Sequence, residues 1–448
     1  MKLKLSIKEY VLLASMLFGL FFGAGNLIFP PKLGMDAGSS IWPAVIGFCL
    51  TGVGLPLLGI IAMGISRSEG LLDMSSKVSK EFGYFFTCIL YLSIGPLFAI
   101  PRTSTVSFSI GISPFVNEES MELSLLIFTF IFFLAVLLFS LKPTKILVWV
   151  GKVLNPTFLA FLAVLLVTAL VSPMGNVVQL NPLNNYEKQS FFTGILEGYN
   201  TMDALASLAF GIIVINAIRQ LDIKDPKIIS ICTMKSGVFA VLIMAIIYIS
   251  LAFAGAQART VYGADLDGGQ ILNLIATHYF NSFGGILLGI IITFACFKTS
   301  VGLVTASSTT FCELFPNLCS YRTYAIIFTL FSFGISNMGL SKIIEYSIPV
   351  LVFLYPLTIC LIMLCIFGKT FKYQKCVFQW TIGLTVVGAF FDFIKNLPKD
   401  FKAHIPGTDV LEDLGGMLPL TDIGMSWIIP ALIGLCIGLI FKFLGKLH

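Results

Sequence analysis

FFGAGNLIFPP, from Phe21 to Pro31, sets two glycines and two prolines inside an apolar run, and its reading decides the fold of this chain. The run from residue 9 to residue 32 is otherwise long enough to cross a bilayer, which takes roughly 20 apolar residues in helical form. Glycine lowers the cost of leaving helical geometry and proline removes a backbone donor, so Gly23, Gly25, Pro30 and Pro31 together favour a break. Backbone broken at membrane depth frees amide and carbonyl groups that must be satisfied inside the protein, and a bound solute or ion does so. Taken alone, the motif fits a kink near the membrane surface equally well, because both residues are common in transmembrane helices.

A second interrupted run tips the balance. ILEGYNTMDALASLAFG (Ile195 to Gly211) is the most polar stretch at membrane depth, with Glu197, Tyr199, Asn200, Thr201 and Asp203 close together. A charge in hydrocarbon is expensive, so an acid within a span faces a cavity or a partner. Asp203 fits that role, whereas Glu197 also fits an external helix end beside Lys188. The two interrupted runs are the first and sixth spans. They occupy corresponding places if spans one to five and six to ten are inverted copies, and such pairing points to a secondary transporter's binding site near the bilayer midplane.

Composition supports the membrane setting. Hydrophobic residues make up 57% of the 448 positions and charged residues 11%, with a mean hydropathy of +0.95, too little polar surface to cover a water-soluble globule. No long polar stretch divides the chain, so we expect one membrane domain. The ten cysteines are scattered and form no metal-ligand pattern. The net charge of +5 is spread over short loops, which argues for topology and against nucleic acid binding. The apolar start resembles a secretory signal, but it runs into GAGNLIFPP instead of a cleavage site, so a retained first span is expected.

Runs of spanning length recur about twelve times. They are placed at 9–32, 40–65, 82–111, 121–141, 145–172, 191–217, 228–254, 283–313, 321–338, 342–367, 375–395 and 424–446. This defines an all-α polytopic protein with repeat one at about 9–172, repeat two at about 191–367 and peripheral helices at about 375–446. Alternate loops hold Lys2, Lys4 and Lys8, Arg67, Lys77 and Lys80, Lys142, Lys145 and Lys152, Arg219, Lys224 and Lys227, Arg322, Lys369, Lys372 and Lys375, then Lys442 and Lys446. By the positive-inside rule that face is expected to be cytoplasmic with both termini inside, Lys395, Lys399 and Lys402 being the main exception on the opposite face. Two longer external segments, Ala256 to Ser282 and Lys395 to Asp422, are either gates or covering loops.

The eighth span carries ACFKTSVGLVTASSTTF (Ala295 to Phe311). Its small residues permit close helix packing, while the hydroxyls of Thr299 and Ser300 can ligate sodium, a hard cation that wants several oxygens. Lys298 in mid-span needs an anion, a cavity or a route to the interface; it can pair with Asp203 or Glu197, or act as a titratable cation. In the third span, SIGPLFAIPRTSTVSF (Ser93 to Phe108) places Pro96, Pro101 and Arg102, either shaping a pocket or marking a kink with an interfacial arginine.

FFGAGNLIFPP, GPLFAIPRTSTVSF, EGYNTMDALASLAFG, ACFKTSVGLVTASS and IPVLVFLYPLT (Ile348 to Thr358), in this order and spacing over nearly the whole chain, resemble the bacterial branched-chain amino acid carrier family. The resemblance implies a symporter of the bacterial cytoplasmic membrane, normally sodium-coupled, that takes up leucine, isoleucine and valine by alternating access. It also implies the five-plus-five inverted-repeat class. By likeness to that class, amides around Gly23, Ala24 and Gly25 would receive the substrate carboxylate at a half-helix terminus. Tyr199, Asn200 and Thr201 would hold the amino group and line the side-chain pocket. Asn26, the carbonyls of Gly19, Phe22 and Cys296, and the hydroxyls of Thr299 and Ser300 match a sodium site between the first and eighth helices. Lys298 departs from the class pattern, and a resident ammonium there would replace the sodium and allow proton coupling.

Other functions leave different marks. A proton-coupled amino acid permease of the same fold is the alternative within transport. A membrane-embedded enzyme needs convergent acids, bases or metal ligands, and the three histidines, His278, His404 and His448, fall in loops or at the tail. A channel needs an open aqueous path with rings of ligands. Oligomeric state leaves no signal in the sequence.

Overall fold

The computed structural model describes residues 5–141, 145–221, 223 and 225–444, and among them every regular element is helical. Lys2, Lys4, Lys142, Lys224, Lys446 and His448 lie outside those residues, as do the side chains of Lys145 and Lys152.

The first span is two half-helices. α1 (Ile7–Phe21) opens with a capping box between Ser6 and Glu9 and stops at Phe22; α2 (Gly25–Ala37) resumes after Ala24. The glycine-rich segment is therefore the break, while the prolines behave differently from the expectation. Pro30 and Pro31 lie inside α2, where their missing N–H groups leave the carbonyls of Asn26 and Leu27 without the usual helical donor. They enrich the site in free backbone oxygen without ending the helix.

A turn at Gly38 (φ 52°) returns the chain into α3 (Ile41–Cys49) and α4 (Leu55–Ser66), which are joined by one wide π turn at Leu50–Gly54. The third span is interrupted as well: α5 (Lys80–Leu92) and α6 (Ala99–Gly111) flank a wide turn in which Gly95 leaves helical geometry beside Pro96. Next come α7 (Met121–Leu141) and α8 (Lys145–Val171). The sixth span splits into α9 (Tyr186–Tyr199) and α10 (Asp203–Gln220). After it run α11 (Pro226–Tyr262), α12 (Gly268–Leu314), α13 (Tyr321–Ser336), α14 (Leu340–Phe367), α15 (Lys375–Lys395) and α16 (Ile428–Leu444). The short link at Asn337 to Gly339 separates α13 from α14 as anticipated.

Seven helical segments among the described residues are long and apolar enough to cross a bilayer, or eight if the bent pair Asp203–Gly211 and Ile213–Gln220 counts as one. The segment Gly25–Ser66 has 42 residues, about two crossings at 1.5 Å per residue, so it holds α2 together with the whole second span. Each of the twelve apolar runs coincides with a helix or a broken pair; those that do not pass alone are broken or shorter, such as Phe158–Val171 and Ile428–Leu444.

The segment from Ala256 to Ser282 is mostly helical. α12 bends at Phe280 and Asn281 (φ 53°), so its start forms a cap over α2, with Gly268 against the Ile28 carbonyl. His278 is thereby on a helix and not in a loop, its Nδ1 3.3 Å from the Tyr262 hydroxyl. The segment from Lys395 to Asp422 forms two short helices, Lys399–Lys402 and Thr408–Gly416, tied by a Lys402–Glu412 ion pair and by Lys395 Nζ donating to the Thr421 carbonyl at 2.8 Å.

Glycines set the closest helix crossings. A methyl at Gly34 would lie 1.8 Å from the Ala252 carbonyl oxygen and one at Gly255 2.0 Å from that of Pro31, so α2 and α11 touch backbone to backbone. On the other side, a methyl at Gly47 would lie 2.1 Å from the Phe191 carbonyl and one at Gly194 2.0 Å from that of Ala44, joining α3 to α9. A methyl at Gly59 in α4 would lie 2.2 Å from Ser207 Oγ in α10, so the second half of span six meets span two as the second half of span one meets span seven, the correspondence an inverted repeat demands.

Candidate functional site

The two breaks face each other. A Cβ added at Gly25, the first residue of α2, would sit 3.5 Å from the Thr201 Cα in the sixth-span break. That second break is tight: Asn200, Thr201 and Met202 amides donate back to the carbonyls of Glu197, Gly198 and Tyr199, and Met202 turns left-handed (φ 61°) before α10 starts at Asp203.

Asn26 locks the pair together. Its Oδ1 accepts from the Gly23 amide at 3.0 Å, and its Nδ2 donates to Asp203 Oδ2 at 2.5 Å and to the Tyr248 hydroxyl. Tyr248 in turn donates to the same carboxylate oxygen at 3.3 Å. All three side chains are buried, so one carboxamide satisfies the first break, the start of the second half-helix of span six and span seven at once.

Beside this bracket lies a cavity of about 280 Å³. Drug-sized ligands fill clefts of roughly 300–1,000 Å³, so it admits one small solute. Gly19, Phe22, Gly23, Ala24, Gly25, Asn26, Thr201, Asp203, Cys296, Lys298 and Thr299 all line it, which brings together most of the residues expected from the sequence. Phe18, Phe158, Phe210 and Leu303 supply apolar wall, with Phe22 stacked on Phe18 at 4.8 Å between ring centroids.

Four of the expected substrate and ion ligands stand elsewhere or are engaged differently. Tyr199 lies behind the cavity, stacked on Tyr355 at 4.1 Å, and Asn200 donates to Glu197 Oε2 at 3.0 Å; neither lines the wall. Ser300 is turned toward α6, where its hydroxyl is 2.5 Å from Thr103 Oγ1, because successive residues on a helix point about 100° apart and only Thr299 can face the cavity. Gly23 does line the cavity, but Asn26 already occupies its amide.

The expected charge pairing of Lys298 is also corrected. Among the described residues it forms no ion pair within 4.0 Å, since Asp203 is held by Asn26 and Tyr248, and Glu197 by Asn200. Instead Lys298, with Phe210, Ile213, Gly302 and Ala306, is shared with a second cavity of about 830 Å³ reaching Glu69, Asp73 and Glu313. The second cavity thus lies between the first and the Arg67–Lys80 loop. Sequence reasoning missed Tyr248, whose phenol stands in an apolar helix with no neighbouring polar motif. It also left Arg102 open as an interfacial kink residue, whereas Arg102 is buried in the cavity wall.

Two broken helices meeting at a small, largely apolar cavity define the five-plus-five inverted-repeat transporter fold. Solved structures share that fold: Mhp1, a nucleobase-cation-symport-1 family transporter in a closed conformation with bromovinylhydantoin bound, matches with TM-score 0.60 at 12% identity over 96% of this chain and 91% of its own. The inward facing conformation of Mhp1 matches with TM-score 0.61 at 11% identity over 98% and 91%. The chain belongs to the family of branched-chain amino acid transport proteins, whose model matches residues 6–444. It is 47% identical over 431 residues to branched-chain amino acid permease BrnQ of Lactobacillus delbrueckii subsp. lactis, covering 96% of each chain. It is 42% identical to the permease BrnQ of Bacillus subtilis (strain 168), over 97% of each. With the branched-chain amino acid transport system 2 carrier protein of Pseudomonas aeruginosa it shares 38% identity over 98% of this chain and 97% of the relative. A family of permeases and carriers makes this chain a transporter and not an enzyme.

Proposed function

We propose that the chain is a sodium-coupled symporter that carries leucine, isoleucine and valine into the cell by alternating access. The observation that carries this reading is the junction of the two breaks, where Asn26 and Asp203 join half-helices beside a small cavity with aromatic walls. The names of the relatives supply the substrate class.

Sodium fits the oxygens present. Thr299 Oγ1 donates to the Ala295 carbonyl at 3.0 Å and keeps its lone pairs for a cation. Gly19, Phe22 and Cys296 offer carbonyls at the same wall, and Asn26 Oδ1 retains a second lone pair. Thr103, hydrogen-bonded to Ser300, brings a further hydroxyl. An amino acid would lie with its polar end at the breaks and its side chain among Phe18, Phe22, Phe158 and Phe210. One methylene in such a pocket is worth roughly 1–3 kcal/mol, so the three branched-chain substrates are weakly discriminated.

The bundle of spans one, two, six and seven rocks against the rest, with repeats at about 9–172 and 191–367 and peripheral helices at about 375–446. The close glycine crossings of α2 on α11 and α3 on α9, which tie span one to span seven and span two to span six, support that bundle. The loop cations support a multi-pass protein of the bacterial cytoplasmic membrane with both termini inside.

Proton coupling is a second reading, favoured by Lys298, which lines both cavities without an anionic partner among the described residues. Labelled leucine uptake into proteoliposomes, with sodium replaced by choline across a range of pH, decides between them. Uptake abolished by choline at every pH supports sodium; undiminished uptake that follows an imposed pH gradient overturns it.

A further inference from the structure

We infer that Arg102 and Asp203 hold the two charged ends of the transported amino acid, the Nε edge of the guanidinium taking the carboxylate and the Asp203 side chain the ammonium. This rests on the amino acid substrate class proposed above and assigns its polar subsites.

Arg102 stands on α6, just past the interruption at Gly95 and Pro96, and is 2% exposed. Its Nη1 donates to the Asn200 carbonyl at 2.6 Å, its Nη2 donates to Ser347 Oγ at 3.1 Å, and its guanidinium lies 5.0 Å from the Phe29 ring centroid. Nε is buried with no partner, and among the described residues no carboxylate comes within 4.0 Å of the side chain. A buried cation at membrane depth is costly unless an anion meets it. Both terminal nitrogens are held by neutral groups while Nε, itself buried, has no partner on a side chain that lines the cavity, so an anion entering there meets the one guanidinium donor the protein leaves unused.

Asp203 is the complement. It is 3% exposed, lines the same cavity and is contacted by Asn26 and Tyr248, both neutral, with no cation within 4.0 Å among the described residues. The two charges do not neutralise each other directly, although Arg102 grips Asn200, three positions before Asp203. A zwitterion is the solute whose ends match both. The half-helix amides are a weaker anchor than the wider class implies, because Asn26 Oδ1 already takes the Gly23 amide. Since both contacts hang on the sixth-span break, a ligand bridging them also sets its geometry.

The test is equilibrium binding to the purified full chain in detergent, with labelled leucine displaced by leucine or by leucinamide, which keeps the amine and the side chain but lacks the anionic carboxylate. In the unaltered protein leucine should win by roughly 30-fold or more, the cost of leaving a buried charge unpaired. Arg102→Gln should lower leucine affinity by a similar factor while leaving leucinamide within about 3-fold, so that the preference collapses. A purely structural role for Arg102 lowers both ligands equally and overturns the assignment, as does leucinamide matching leucine in the unaltered protein. Should Arg102→Gln fail to fold, Arg102→Lys serves, with the preference expected to shrink because a point charge replaces the fork. If the unaltered protein binds no branched-chain amino acid, the proposed function itself fails, an outcome separate from an intact preference in the variants.

Discussion

Asn26 Nδ2 donates to Asp203 Oδ2 at 2.5 Å, joining the break of the first span to the start of the second half-helix of the sixth, 177 positions away. Tyr248 from span seven closes the triangle. The cavity floor is therefore one hydrogen-bonded unit, and substitutions there should act together.

Hydrogen bonds to charged groups contribute about 1.5–3 kcal/mol. Asn26→Ala should weaken leucine binding by roughly 30-fold, because it frees the Gly23 amide and takes one of Asp203's side-chain donors. Tyr248→Phe removes another donor, whose longer bond of 3.3 Å should make the loss smaller, about 1 kcal/mol. Binding isotherms for the single and double variants check this; strictly additive losses would show that the three residues do not act as a unit.

Thr299 and Ser300 should part company. Thr299→Ala should raise the sodium concentration for half-maximal uptake by about 10-fold, while Ser300→Ala should chiefly lower thermal stability, by about 1 kcal/mol, through loss of the Thr103 contact. Sodium titration of uptake and thermal unfolding of each variant separate the two effects. Equal sodium affinity in Thr299→Ala would exclude that hydroxyl from the ion site.

Lys298 places a cation at the junction of the two cavities. If sodium binds nearby, Lys298→Gln relieves like-charge repulsion and should lower the half-saturating sodium concentration by roughly 10-fold. If the ammonium itself carries the coupling, the same variant should lose pH-driven uptake and gain no sodium response. Counterflow at varied sodium and pH reads out both.

The glycine crossings predict a stability pattern. Gly34→Ala and Gly47→Ala each force a methyl into a backbone carbonyl and should destabilise by about 1–3 kcal/mol. Gly383→Ala in α15, where a methyl meets nothing within 4 Å, should be neutral or slightly stabilising. Thermal unfolding in one detergent ranks the three, and equal midpoints would contradict the close approach.

Much of this architecture is local chemistry and was readable as such. Apolar length demands a bilayer, because lipid offers the backbone no hydrogen bonds. Glycines at Gly23 and Gly25, and the polar run around Asp203, mark where helices yield, because those residues act on their own backbone. What the sequence alone left open is which way each side chain turns, since that follows from the rotation of one helix against another. Thr299 faces the cavity and Ser300 faces Thr103, although they are neighbours. Pro30 and Pro31 continue a helix because α2 is packed against α11 and keeps enough of its ladder. Arg102 is a cavity residue and not an interfacial one only because Asn200 and Ser347, distant in sequence, meet its guanidinium. Periodicity and composition are properties of a segment, whereas a pairing between buried groups exists only once the segments are packed, and so the site's partners were decided by tertiary structure.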